Sequence, residues 1–234
     1  MHKIRIGIDL DHVIRNINRQ IVKYYQRDID ASIDIDDVDY NDDVIKSVCH
    51  FKSHHDLNVF LYEDYPLEIF GHAAQVDRNL SRDLNLWMEK LTNQEEYDVE
   101  IFFFSMKEWN LTIQSSYFFL SKIGSRIRQV IFPKSIKELE GVGDVFITAY
   151  PDNAKALKKL GKQIIYVKTN FNQSGLNYAD LVYGSLRDFL DDDNKLNKIA
   201  NITGKCQIKK ERKGRSFWTS MQSWISSLTA TKKG

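Results

Sequence analysis

Apolar residues recur in two different spacings along this chain, and the spacing predicts its elements. In residues 4–10 an isoleucine or leucine stands at every second position, which predicts a buried β-strand. Residues 13–27 and much of 44–94 carry apolar side chains at helical spacing. From residue 97 onwards, short apolar strands alternate with helices. This alternation predicts an α/β fold with a parallel sheet whose two faces are covered.

The second half of the chain supplies most of the predicted sheet. Its predicted strands share a short apolar run that ends at a polar or breaking residue: 99–104, 127–132, 144–147, 164–167 and a last short strand within 180–192. Ligands of a parallel sheet lie beyond the carboxyl ends of its strands. Asp9, Asp11, Ser105 and Lys134 all fall at such predicted ends. Their convergence favours a phosphate-binding site there.

The two acids that follow the first strand are spaced two residues apart. Because the side-chain period of a strand is two, Asp9 and Asp11 are expected to point the same way. Two carboxylates on one side repel each other unless a cation, or a phosphate-bearing ligand with its metal, lies between them. The alternative is an ordinary acidic loop after the first strand of an α/β domain.

Composition sets the class of the protein. The 234 residues suit one domain with an insertion, or two small domains, and 42% apolar residues suffice for a sizeable core. We expect no transmembrane segment and no signal peptide, since no apolar run is long enough. Cys49 and Cys206 stand far apart, which favours a reducing, cytoplasmic compartment.

Charge is divided unevenly along the chain. The net charge of +1 combines −8 in residues 1–194 with +9 in residues 195–234. An acidic body with a basic tail suggests that the tail has a partner of its own.

Two stretches offer alternative metal sites. Residues 28–43 contain eight aspartates, for which we favour a solvated loop over a calcium site, because the EF-hand offsets are missing. His50, His54 and His55 include a pair at helical spacing. Without a third ligand of clear spacing, we favour surface histidines.

The residues at the predicted strand ends carry a family resemblance. Residues 8–13 read Ile-Asp-Leu-Asp-His-Val, residues 102–105 read Phe-Phe-Phe-Ser, and Lys134 follows the next strand. In order and spacing these resemble the first three motifs of the haloacid dehalogenase (HAD) superfamily of phosphohydrolases, closest to its 5′(3′)-deoxyribonucleotidase-like branch. The resemblance implies a three-layer α/β sandwich with a parallel sheet. Its HAD-like core would be residues 1–14 and 96–194, with residues 15–95 as a mainly helical cap insertion.

The resemblance also implies roles for these residues. The equivalent of Asp9 attacks phosphorus to form an aspartyl-phosphate, and the equivalent of Asp11 gives and later takes a proton. Ser105 and Lys134 would hold the phosphoryl oxygens. Mg²⁺ would neutralise charge between the substrate and Asp9. Asp9 and Asp11 would be among its ligands.

The fourth motif departs from the family pattern. Where the family has a pair of acids, this chain has Thr148 and Ala149. Mg²⁺ prefers hard, charged oxygen ligands, so its binding should suffer, unless Asp152 replaces the missing acids. Leaving close charges uncompensated costs about 3–5 kcal/mol, and at about 1.4 kcal/mol per decade the rate falls by roughly two to four orders of magnitude.

The end of the chain has its own pattern. Residues 205–215 form a basic linker, and residues 216–229 follow with helical spacing of large apolar side chains. That predicted helix face comprises Phe217, Met221, Trp224 and Leu228, flanked by Trp218 and Ile225. We favour insertion of these side chains into a groove on another protein chain. The alternatives are packing against the chain's own domain, binding to a membrane surface, and contact of the linker with nucleic acid.

Two functions compete on this basis. The first is a HAD-like domain that has lost phosphatase activity and acts as a structural or docking subunit of a larger assembly, such as a phage particle. In that case the protein would be cytoplasmic or lie within the virion. The second is a Mg²⁺-dependent 5′-deoxynucleotidase.

Overall fold

The strands of this protein, described here from a computed structural model, follow the predicted order. The structure describes residues 3–39, 43–92, 98–106 and 110–204. The strands in these ranges are β1 (Lys3–Asp9), β2 (Arg15–Asn16), β3 (Ala74–Gln75), β4 (Asp98–Phe104), β5 (Val130–Ile131), β6 (Val145–Thr148), β7 (Gln163–Val167) and β8 (Leu181–Tyr183).

Helices connect these strands. The α-helices are α1 (Asn18–Asp28), α2 (Val44–Ser47), α3 (His54–Val59), α4 (Leu80–Thr92), α5 (Asn110–Lys122), α6 (Pro151–Lys159), α7 (Leu186–Asp191) and α8 (Lys195–Thr203). Two π-helical segments, Phe60–Asp64 and Leu67–Gly71, and two 3₁₀ segments, Ile136–Leu139 and Gln173–Tyr178, complete the helical part. None of the helices described is long and apolar enough to cross a membrane.

Six of the strands form one parallel sheet, in the order β5-β4-β1-β6-β7-β8. In this register Asp9 lies beside Phe104, and Ile8 lies beside Ile147. The predicted parallel α/β sandwich is therefore confirmed. The carboxyl ends of β4, β1 and β6 meet at one edge, which brings the residues that follow them together.

Alternation along the strands divides the core between the two faces of the sheet. Ile6, Ile8 and Phe103 pack on one face, with the inward sides of α1, α4, α5, α7 and α8. Phe102 and Phe146 pack on the other face, against α6. The sheet is thus the middle of three layers.

Gly7 lies where aromatic rings come close to β1. A Cβ atom at this position would lie 2.7 Å from Phe102 Cζ and 2.8 Å from Phe146 Cδ1. We expect Gly7→Ala to lower the free energy of unfolding by about 1–3 kcal/mol, because both rings are buried and must move. Urea denaturation measures this loss. Gly141→Ala is the matched control, since no atom lies within 4 Å of its Cβ position, and an equal loss there would contradict the packing argument.

The segment after β1 differs from the prediction. A helix was predicted over residues 13–27, but Arg15 and Asn16 form β2, which pairs antiparallel with β3, and α1 begins only at Asn18. Pairing with a strand some sixty residues away overrides the helical spacing. The stretch that follows is mainly helical, as predicted: α2, α3, the two π-helical segments and α4 lie within residues 44–92, and the second π-helical segment runs from Leu67, just after Pro66, to Gly71.

The end of the described chain also differs. Residues 195–204 were counted with the tail, yet they form α8 and its cap, with Ile199 and Ala200 buried and Gly204 left-handed at φ 63°. Apolar contacts of this helix with the core explain the difference. The predicted tail helix and its side chains Phe217, Trp218, Met221, Trp224, Ile225 and Leu228 lie outside the described residues, as does the linker 205–215.

Candidate active site

The candidate active site lies at the carboxyl ends of β4, β1 and β6. Asp9 ends β1, Asp11 follows two residues later, and both carboxylates are only 1% exposed. Ser105 directly follows β4 and Thr148 ends β6, and both are also buried. The sheet therefore brings three of the predicted site residues into one buried group.

Asp9 is held by neutral donors from the β6–α6 connection. The Thr148 hydroxyl donates a hydrogen bond to Asp9 Oδ2 at 2.8 Å, and the Asn153 amide donates to the same oxygen at 3.0 Å. The Tyr150 N–H donates to Thr148 Oγ1 at 3.1 Å, which leaves the hydroxyl proton free to point at Asp9. These bonds give a buried carboxylate the hydrogen-bond partners that it would otherwise find in water.

Asp11 is paired with a buried arginine. Arg15 Nε donates to Asp11 Oδ1 at 2.5 Å, and the Arg15 side chain is fully buried. Arg15 Nη1 also donates to Ser116 Oγ at 2.6 Å and to the Phe70 carbonyl at 3.4 Å. The guanidinium lies over the Phe70 ring, 4.9 Å from its centroid. Charge, hydrogen bonding and ring contacts thus all satisfy this buried cation.

A tight loop returns Arg15 to Asp11. The N–H groups of Ile14 and Arg15 both donate to the Leu10 carbonyl, and the His12 N–H donates to the Arg15 carbonyl. His12 has a positive φ of 61°, which reverses the chain within these few residues. The sequence signal for this pair is an arginine four residues after an acid in an apolar run. The sequence analysis missed it.

Aromatic rings cover the two acids. His12 contacts Tyr150 and Phe171 edge-on, each with ring centroids 5.4 Å apart. Burial raises the pKa of Tyr150 well above its usual range, and the charges of Asp11 and Asp9 raise it further. Tyr150 therefore stays a neutral phenol beside the carboxylates.

Two other predicted residues lie differently. Lys134 is exposed, and its backbone N–H donates to Glu138. Asp152 is exposed in the first turn of α6, whereas its neighbour Asn153 reaches Asp9. Asn153, like Arg15, was not singled out from the sequence. The phosphate-binding and metal-binding roles of Lys134 and Asp152 remain predictions.

The donors around the acids do not fit Mg²⁺. This ion requires several oxygen ligands, charged ones preferred, in near-octahedral geometry. Asp9 faces an amide N–H and a hydroxyl donor, and a guanidinium is already bonded to Asp11. Within the described ranges, no three His, Cys, Asp or Glu side chains are grouped to hold a metal. His50, His54 and His55 are exposed.

Comparison with known proteins supports the fold. No protein-family model matches the sequence, and no curated protein matches it. Among solved structures, a HAD-like hydrolase of Streptococcus pneumoniae is similar with a TM-score of 0.50 at 11% identity, covering 76% of this chain and 92% of its own. A protein of Burkholderia xenovorans, described as a HAD-like hydrolase, gives a TM-score of 0.52 at 10% identity, covering 85% and 99%. By these likenesses, the chain has the fold of the haloacid dehalogenase-like proteins.

Proposed function

We propose that this chain is a HAD-like domain of the 5′(3′)-deoxyribonucleotidase-like type that has lost phosphatase activity and serves as a docking subunit of a larger protein assembly. The observation that carries the loss of activity is that the protein's own side chains already occupy both motif acids. Asp9 accepts hydrogen bonds from Thr148 and Asn153, and Asp11 is ion-paired with Arg15.

Each acid is unsuited to its family role in this setting. A nucleophilic carboxylate must approach a phosphate dianion, and the two side chains bonded to Asp9, Thr148 and Asn153, are neutral, so neither supplies a second carboxylate for a metal. A general acid must deliver a proton to the leaving group, but Asp11 Oδ1 already accepts from the Arg15 guanidinium at 2.5 Å. Phosphoryl transfer through an aspartyl-phosphate therefore lacks both the carboxylates that would hold a metal beside Asp9 and an available proton donor.

The docking role is supported by charge and pattern. Residues 1–194 carry −8 and residues 195–234 carry +9, and the latter include the large apolar side chains of 216–229. Aromatic side chains at helical spacing are typical of segments that bind in grooves.

A phosphatase assay tests the proposed loss of activity. The full chain is offered deoxynucleoside monophosphates and an aryl phosphate with Mg²⁺, and Asp9→Asn serves as the blank. We expect no turnover above the blank. Turnover of about 1 per second or more would instead establish the Mg²⁺-dependent 5′-deoxynucleotidase.

A further inference from the structure

Helix α5 buries hydroxyl side chains beside Phe119 and Leu120 and exposes two aromatic rings. Its hydroxyl residues Thr112, Ser115 and Ser116 are buried, whereas Tyr117 is 50% and Phe118 is 44% exposed. The buried side is explained by Arg15, which donates to Ser116. The bond between Arg15 and Ser116 does not explain why Tyr117 and Phe118 face solvent.

Each exposed ring has further exposed or half-buried side chains beside it, and the two groups adjoin on α5. Phe118 contacts His72 with ring centroids 5.2 Å apart, and Tyr117 contacts Phe132 at 5.7 Å. Leu67 is 42% exposed and lies beside Phe118. A Cβ atom placed on Gly71 would lie 2.7 Å from Leu67 Cδ1 and 3.2 Å from Phe118 Cδ1. We call these five residues the α5 aromatic surface: Leu67, His72, Tyr117, Phe118 and Phe132. Contiguous exposed apolar side chains commonly mark an interaction site.

Acidic residues accompany this surface. The π-helical segments that carry and precede Leu67 also carry Glu63, Asp64 and Glu68, and the first two are exposed. A partner that suits the surface therefore combines apolar side chains with basic ones. Residues 205–229 of this same sequence have that composition, a basic linker followed by aromatic residues.

The topology favours a tail from another molecule. The described residues end just after α8, which lies beside β8 because Lys198 lies over the Tyr183 ring. The α5 aromatic surface lies beside β5, since Phe132 directly follows that strand. β8 and β5 are opposite edges of the six-stranded sheet, separated by about 24 Å at the usual strand spacing. To cross that width, a chain's own linker, residues 205–215, would have to hold about seven of its eleven residues extended, at about 3.3 Å each. The tail of a second chain does not carry this constraint.

We infer that the α5 aromatic surface binds the C-terminal segment 216–229 of a second copy of this chain. The inference rests on the proposed docking function and names its partner. Surface and segment are different parts of the molecule, so the contact is head-to-tail. It either closes reciprocally into a dimer or extends into an open chain.

Photo-crosslinking of the full chain tests the inference. Ile225→benzoylphenylalanine places the crosslinker beside the apolar stripe and keeps its four members. Isotopically heavy and light chains are mixed, and the crosslinked peptides are identified by mass spectrometry. We expect heavy-to-light crosslinks into α5 or Leu67–Gly71. Light scattering should give a mass that rises with concentration above that of one 27.4 kDa chain.

Two matched variants give the test its control. Phe118→Glu should lower the heavy-to-light yield by about tenfold or more, as loss of a central aromatic contact does. Leu86→Glu, at a 46% exposed leucine on α4, should leave it unchanged. Crosslinks confined to single chains, crosslinks to other surfaces, absence of crosslinks, or equal effects of the two variants would each overturn the inference. The phosphatase assay is independent of these results, so turnover would overturn the proposed function alone.

Discussion

Replacing Arg15 by methionine is expected to lower the free energy of unfolding by about 3–5 kcal/mol, because it leaves the Asp11 charge buried without its partner. Arg15 and Asp11 are 0% and 1% exposed, so solvent cannot take over the lost contact. Methionine keeps the apolar length of the side chain, and the loss therefore reports charge more than volume. Urea denaturation monitored by circular dichroism measures it. Since a domain is typically stable by about 5–15 kcal/mol, this single change removes a large part of the total.

Two further variants distinguish the loss of the Arg15–Asp11 ion pair from a general effect of removing an arginine. Arg27→Met breaks the exposed pair with Asp28, whose atoms are 2.7 Å apart, and should change the urea midpoint little, because solvent screens it. Arg15→Met combined with Asp11→Asn should recover much of the lost stability, since no unpaired charge then remains. If the single and double variants unfolded at the same urea concentration, the cost would come from packing and not from the buried carboxylate.

The sheet and the two motif acids were predictable from local pattern alone. Strands buried on both faces read as short apolar runs, as β4, β6 and β7 do, and β1 shows an isoleucine at every second position. Because parallel strands end at the same edge, the residues after β1 and β4 had to come together. The convergence of Asp9, Asp11 and Ser105 follows from this rule without any knowledge of side-chain contacts.

The partners of the acids were not predictable in this way. Arg15 is satisfied by Ser116, 101 residues further along the chain, and by the Phe70 carbonyl, 55 residues away. No local spacing encodes such a contact. Likewise, Asp152 and Asn153 are adjacent in sequence, and only the start of α6 at Pro151 determines which of them reaches Asp9. The rotational position of each residue on α6, and not its chemical type, decides which side chain bonds to Asp9.

The length of the edge strand β5 was also not predictable from local pattern. β5 is confined to Val130 and Ile131, although the apolar pattern suggested a strand of six residues. The Ile127 N–H donates to Ser125 Oγ, which takes that backbone group out of the sheet. A side chain two residues earlier thus satisfies the start of the predicted strand, a contact that the apolar pattern does not encode.

The final prediction concerns the metal site. Thr148→Asp with Asn153→Asp replaces the two neutral donors to Asp9 by carboxylates, and we expect this variant to gain a Mg²⁺ response that the natural chain lacks. In EDTA it should be less stable than the natural chain, because three close carboxylates repel. With Mg²⁺ at 100 times its Kd, binding stabilises by about 2.7 kcal/mol. For a domain of this size that is a rise in Tm of roughly 5–10 °C, which a thermal shift measurement detects without any activity.

A neutral variant distinguishes charge from shape. Thr148→Asn with Asn153 retained supplies amide groups of similar size, and its Tm should not depend on Mg²⁺. A Mg²⁺-dependent Tm in the natural chain would contradict the argument that hydrogen-bond donors at Asp9 and the guanidinium at Asp11 exclude the ion. If the acidic variant gained no response either, the obstacle would be Arg15, whose positive charge stays in place. Adding Arg15→Met to that variant should then restore the response, because it removes the positive charge beside Asp11.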